Sequence, residues 1–198
     1  MSRPELEVSL MGTTQDPSFS KRLSKRTVIL IGLPGSGKTI GATYLKEFGF
    51  VSVSAGDVIR DLCRKEGLPL TRESLNSYGQ QLLDTHGFQY FGEMLLQRAR
   101  NHELIIFEGI RPPEVVQWLK SQRPETIVIY IESPEDVRLR RLVARGEDEY
   151  SNRLAITAAM ERDIVKFKPL ADVVIENIGS LNEFHQNLRD VAITFLKE

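Results

Sequence analysis

The segment Gly32-Leu33-Pro34-Gly35-Ser36-Gly37-Lys38-Thr39 matches G-x-x-x-x-G-K-[ST] in full, and no other feature constrains the chain as strongly. It follows an apolar run, TVILIG (27–32), and precedes a stretch of helical period. A strand that turns into a helix around a phosphate must leave its backbone N–H groups pointing inward. Glycines permit the φ values this needs and remove Cβ atoms that would block the approach. The helix start adds unpaired donors and a partial positive charge. Lys38 is then placed to reach β- and γ-phosphates, and the Thr39 hydroxyl to ligate Mg²⁺. With glycine near 7 % of residues, the fixed positions coincide by chance in well under about 1 % of chains this long. The expectation is an ATP phosphate site built from Gly32, Pro34, Gly35, Ser36, Gly37, Lys38, Thr39 and Ile40.

Four further apolar runs follow: FVSVS (50–54), ELIIFEG (103–109), TIVIYIES (126–133) and DVVIEN (172–177). They are rich in β-branched residues and apolar at consecutive positions, as in strands buried on both faces of a parallel sheet. Helical patterns lie between them, so right-handed βαβ units predict a three-layer α/β/α fold around a five-stranded parallel sheet. The stretch 71–100 exceeds what one crossover needs and holds two helical patterns split near Gly87. Ligands of such sheets bind at the carboxyl ends of the strands. Glu108, directly after its strand, suits a carboxylate holding Mg²⁺. Asp57 is expected to cap the helix that follows the second run.

A 198-residue chain suffices for one domain with a buried core. A net charge of -1 gives no global pull toward nucleic acid or anionic membrane. The single cysteine, Cys63, permits no internal disulfide and suggests a reducing compartment; Cys63 itself is expected in the core. No apolar run approaches the roughly 18 residues of a membrane span. Residues 1–25 are polar and without periodicity, which predicts a flexible tail ahead of a domain over 26–198. His86, His102 and His185 have no ligand spacing, and Trp118 is expected to pack.

In order, GLPGSGKT, SAGDVIR (54–60), EGIR (108–111) and RLVARG (141–146) resemble adenylate kinase and its relatives, the P-loop nucleoside monophosphate kinases, over residues 27–197. ADVVIENIGS (171–180) is similar to the adenine-side loop of dephospho-CoA kinases, and TRESLNSYGQQLL (71–83) to a segment of deoxynucleoside monophosphate kinases. The resemblance implies an acceptor-binding insertion over about 56–100, with Gly56, Arg60 and Arg111 on the acceptor. It also implies Arg141 and Arg145 on the ATP phosphates, Asn177 and Gly179 on the nucleotide, and Arg153 and Arg162 as catalytic arginines after a short lid at about 145–155. Arg141 and Arg145 are four apart and share a helix face; Arg138 and Arg140 are expected to face solvent.

The function expected is ATP- and Mg²⁺-dependent phosphoryl transfer to a small molecule, foremost a nucleoside or deoxynucleoside monophosphate. A phosphate acceptor is already ionised, so arginines should replace a general base. The alternative is a hydroxyl kinase with Asp57 as base; a third reading is a regulatory ATP-binding protein with weak ATPase activity. Cytoplasmic location, a monomer or homodimer, and no nucleic-acid or membrane partner complete the expectation.

Overall fold

The computed structural model describes residues 26–146 and 166–196. The tail at 1–25 and the expected lid from residue 147 onward, with Arg153 and Arg162, lie outside the described residues.

The chain runs β1 (Thr27–Ile31), α1 (Lys38–Lys46), β2 (Val51–Ser54), α2 (Ala55–Lys65), α3 (Arg72–Ala99), β3 (Ile105–Glu108), α4 (Pro113–Gln122), β4 (Thr126–Glu132), α5 (Glu135–Val143), a 3₁₀ turn (Lys168–Leu170), β5 (Val173–Glu176) and α6 (Leu181–Leu196). The strands form one parallel sheet in the order β2-β3-β1-β4-β5. β1 is central, with Ile29 beside Phe107 of β3 and Val128 of β4.

Alternate residues of each strand feed opposite faces. Ile29, Ile31, Phe107 and Val128 pack with Val58 and Cys63 of α2, Leu95 of α3 and Leu119 of α4. Val28, Leu30, Ile106 and Ile129 pack with Leu45 of α1 and Phe184 and Leu188 of α6. Two apolar layers on one sheet explain why the runs are continuous rather than alternating.

The strands are one to three residues shorter than the apolar runs. At 172 the reason is visible. The Asp172 carboxylate accepts from the Val128 amide at 2.7 Å and from Lys120 Nζ at 2.8 Å, so it anchors the start of β5 instead of continuing it.

The insertion forms α3, which Thr71 caps by accepting from the Ser74 amide at 3.2 Å. The expected break near Gly87 appears as a non-helical residue (φ 80, ψ 171) between two helical halves. Trp118 packs as expected: its indole lies on Gly92, where a Cβ would come within 2.3 Å of the ring. Cys63 is fully buried and carries a free thiol.

Candidate active site

The loop between β1 and α1 crosses the carboxyl ends of β4 and β5. Gly37 sits before α1 with φ 108, a backbone that side-chained residues rarely adopt. A Cβ there would lie 2.4 Å from Asn177 Nδ2, and one at Gly35 (φ 79) would lie 2.6 Å from the Arg138 carbonyl oxygen. These glycines therefore serve the seating of the loop on its neighbours as well as any phosphate.

The seating is a network of buried polar groups. Asn177 donates from Nδ2 to the Ser36 carbonyl at 2.8 Å and accepts at Oδ1 from Arg141 at 3.2 Å. Ser133 Oγ donates to the Asn177 carbonyl at 2.8 Å and accepts from Arg141 at 3.3 Å. Arg138 Nε donates to the Ser133 carbonyl at 3.2 Å. The resemblance implies Asn177 on the nucleotide; here its amide is spent on the loop. Arg138 corrects an expectation: it is 3 % exposed rather than solvent-facing, because Gly35 packs on its backbone and its side chain turns under the loop. Arg140 is exposed and paired with Asp136, as expected. Gly179 precedes a capping box in which the Ser180 amide donates to Glu183 at 2.6 Å and the Glu183 amide to Ser180 Oγ at 3.2 Å.

Lys38 folds back over the loop, donating to the Gly32 carbonyl at 2.7 Å and the Leu33 carbonyl at 2.9 Å. Burial lowers its pKa to about 8; Glu108 opposes the shift, and Arg138, Arg111 and Arg145 add to it. An ammonium strained in this way gains from any anion brought against it.

Glu108 ends β3 beside Leu30, and its Oε1 accepts from Ser52 Oγ at 2.9 Å. Thr39 is exposed in the first turn of α1. Among the described residues no three His, Cys, Asp or Glu side chains gather as a metal cage. One hydroxyl and one carboxylate beside a phosphate loop suit Mg²⁺, which takes few protein oxygens and completes its shell with phosphate and water. The donor set fits that ion.

On the side of β2, Ser54 caps α2, accepting from the Asp57 amide at 3.4 Å. This corrects the expectation that Asp57 is the cap: the helix begins at Ala55, and Asp57 falls in its first turn, free to pair with Arg60. An added Cβ at Gly56 would lie 3.5 Å from the Arg60 guanidinium. Arg111 Nη1 donates to Asn76 Oδ1 of α3 at 2.7 Å. Desolvation, and then the charge of Arg72, lower the Arg111 pKa.

A cavity of about 220 Å³ lies over the loop, lined by Pro34, Gly35, Gly37, Lys38, Thr39, Arg72, Leu142 and Arg145. Arg145 was expected here and Ile40 is exposed nearby in the chain. Arg72 was not expected: nothing in its local sequence distinguishes it from a solvated helix-start arginine, and only the crossing of α3 brings it in.

A family model described as an AAA domain matches residues 28–166. The chain belongs to the AAA domain family. The matched span takes in the P-loop, Glu108 and the arginines of α5. A UPF0200 protein of Methanothrix thermoacetophila is 31 % identical over 174 residues, covering 84 % of this AAA domain chain and 96 % of the relative, and that places the chain among the UPF0200 proteins. A UPF0200/UPF0201 protein of Archaeoglobus fulgidus is 28 % identical over 188 residues; the chain spans 57 % of its length. Among solved structures, TT1252 of Thermus thermophilus aligns with a TM-score of 0.55 at 18 % identity, over 86 % of this chain and 97 % of that one. A shikimate kinase of Acinetobacter baumannii in complex with shikimate aligns at 0.54 and 20 % identity, over 88 % and 97 %. A gluconokinase of Sinorhizobium meliloti aligns at 0.53 and 15 %, over 83 % and 89 %. The fold is that of the P-loop kinases.

Proposed function

We propose that this AAA domain transfers the γ-phosphate of ATP to a small phosphorylated acceptor, foremost a nucleoside or deoxynucleoside monophosphate. The observation that carries the reading is the cavity over the loop: Lys38 and Thr39 form its floor, Arg72 and Arg145 its walls, and Arg111 stands on the acceptor side with a neutral amide as its bonded partner among the described residues. Three cations, Lys38, Arg72 and Arg145, with no carboxylate among the described residues that line this cavity, suit a reaction between two phosphates, because phosphoryl transfer asks the protein for positioning and charge neutralisation.

In this reading the loop amides and Lys38 bind the β- and γ-phosphates. Lys38 leaves the two carbonyls it now occupies and turns to the nucleotide. Asn177 and Ser133 keep Arg141 against the loop, so Arg141 steadies the phosphate site. Arg145 closes on the nucleotide, and Arg60 and Arg111 orient the acceptor phosphate. Mg²⁺, held by Thr39 and Glu108 with Ser52 steadying the carboxylate, would offset charge on the phosphate oxygens. Arg153 and Arg162, outside the described residues, would serve as the catalytic arginines after a short lid at about 145–155. The free thiol of Cys63 suits the cytoplasm, and no described helix is long and apolar enough to cross a membrane.

A second reading has support in one observation. Asp57 is exposed at the carboxyl end of β2, where a base could serve a hydroxyl acceptor, and two structures of like fold are named shikimate kinase and gluconokinase. The deciding experiment incubates the protein with Mg-ATP and separate nucleoside monophosphates, deoxynucleotides, dephospho-CoA and sugars. ADP released with one monophosphate alone is the expected result. ADP released only with a hydroxyl acceptor would transfer the assignment to the second reading. Slow release that no acceptor changes would leave a regulatory ATPase.

A further inference from the structure

Arg72 opens α3, the helix that approaches from the acceptor side, yet its side chain lines the cavity over the loop with Lys38, Thr39 and Arg145. Asn76 lies four residues on, and so on the same helix face. Its Oδ1 accepts from Arg111 at 2.7 Å, which fixes that face toward the site. The charge of Arg72 is felt at Arg111. Among the described residues the Arg72 side chain has neither a carboxylate nor a hydrogen-bond partner. An arginine at a cavity rim beside Lys38 and Arg145, with no anion against it among the described residues, lacks the group that would make the arrangement favourable.

Building on the phosphotransferase reading above, we propose that Arg72 contacts the γ-phosphoryl group of bound ATP, so that the acceptor-side helix completes the donor site. As the acceptor oxygen forms its new bond to the γ-phosphorus, the bond to the oxygen retained by ADP breaks. Charge on the remaining oxygens of the transferred group faces the Arg72 guanidinium. Because Arg72 and the Arg111 partner Asn76 share one face of α3, a shift of that helix on acceptor binding moves Arg72 too. Transfer thereby becomes sensitive to occupancy of the acceptor side.

The test titrates the full chain with Mg-ADP and with the Mg complex of β,γ-imido-ATP, in wild type, Arg72→Ala and Arg72→Lys. A side chain that meets the γ-phosphate loses about tenfold in affinity for the imido analogue in Arg72→Ala, as for a charge-assisted hydrogen bond. ADP affinity and melting temperature stay unchanged, and Arg72→Lys recovers part of the loss. Equal losses for the two nucleotides, or no loss for either, overturn the assignment of Arg72 while leaving the phosphotransferase reading in place. A folded wild type that binds neither nucleotide overturns both.

Discussion

The two halves of the site are built on opposite terms. On the donor side, Asn177, Ser133, Arg138 and Arg141 tie the P-loop to the ends of β4 and β5 through buried hydrogen bonds, and two glycines leave no room for a Cβ between loop and strand ends. On the acceptor side, the Asp57–Arg60 pair has side chains 62 % and 42 % exposed, and α3 reaches the site from beyond the non-helical Gly87. A buried hydrogen-bonded network is costly to disturb, whereas an exposed pair contributes roughly 0–1 kcal/mol. The loop is thus shaped before any ligand arrives. The side proposed to hold the acceptor is tied by weaker, more exposed contacts, which leaves it latitude to adapt.

Substitutions on either side break or sharpen that contrast. The largest effect is expected from Gly37→Ala, which forces an unfavourable backbone and drives a methyl into the Asn177 amide; about 2–3 kcal/mol of stability goes, and with it most nucleotide affinity. Gly79→Ala in α3 is its counterpart. The added Cβ meets Ile59 at an ordinary 3.8 Å, so denaturant unfolding should register a gain of up to about 1 kcal/mol. Asn177→Ala comes next: it takes from the buried Ser36 carbonyl the shorter of its two hydrogen bonds, leaving Ser133 Oγ at 3.3 Å, and removes an acceptor of Arg141; it costs about 1–3 kcal/mol in the same assay and weakens Mg-ATP binding.

Asp57→Asn is expected to do little on the leading reading, since it removes an exposed pair worth at most about 1 kcal/mol. A fall in turnover on the order of 10²–10⁴-fold would instead make Asp57 the base of a hydroxyl kinase. The smallest effect is in pH. With its pKa near 8, Lys38 is partly neutral at that pH in the free protein, and a bound phosphate raises the pKa. Mg-ATP binding should therefore take up protons around pH 8 and none near pH 6, read by calorimetry in buffers of different ionisation enthalpy. The linkage to folding runs the same way. The unfolded chain holds more protons than the folded one between pH 8 and the ordinary lysine range, so this group's contribution to stability rises as pH climbs through that window.

Much of this was legible in the chain. Gly32 to Thr39 carries its own spacing, and strands buried on both faces announce themselves as unbroken apolar runs, so the fold class and the donor loop could be read directly. What escaped depends on contacts distant in sequence. Arg138 looked like one charge among several on a polar helix, and only the seat of Gly35 upon it explains its burial. Asp57 reads as the helix cap from the chain alone because nothing local shows that the helix follows the strand without a linker; Ser54 both ends β2 and caps the helix that starts at Ala55. Arg72 carries no local mark at all, since it joins the cavity only beside residues distant in sequence, Lys38 and Arg145.

The central claim is that the turn from Gly32 to Thr39 holds the phosphates of a nucleotide with Lys38 as their counter-charge. Calorimetric titration of wild type and Lys38→Ala with Mg-ATP tests it most directly. Saturable binding by the wild type, lost in a Lys38→Ala variant that melts at the same temperature or higher, is the predicted result. A folded wild type that gives no heat with Mg-ATP and no shift in melting temperature, or a Lys38→Ala variant that binds as well as its parent, would contradict it.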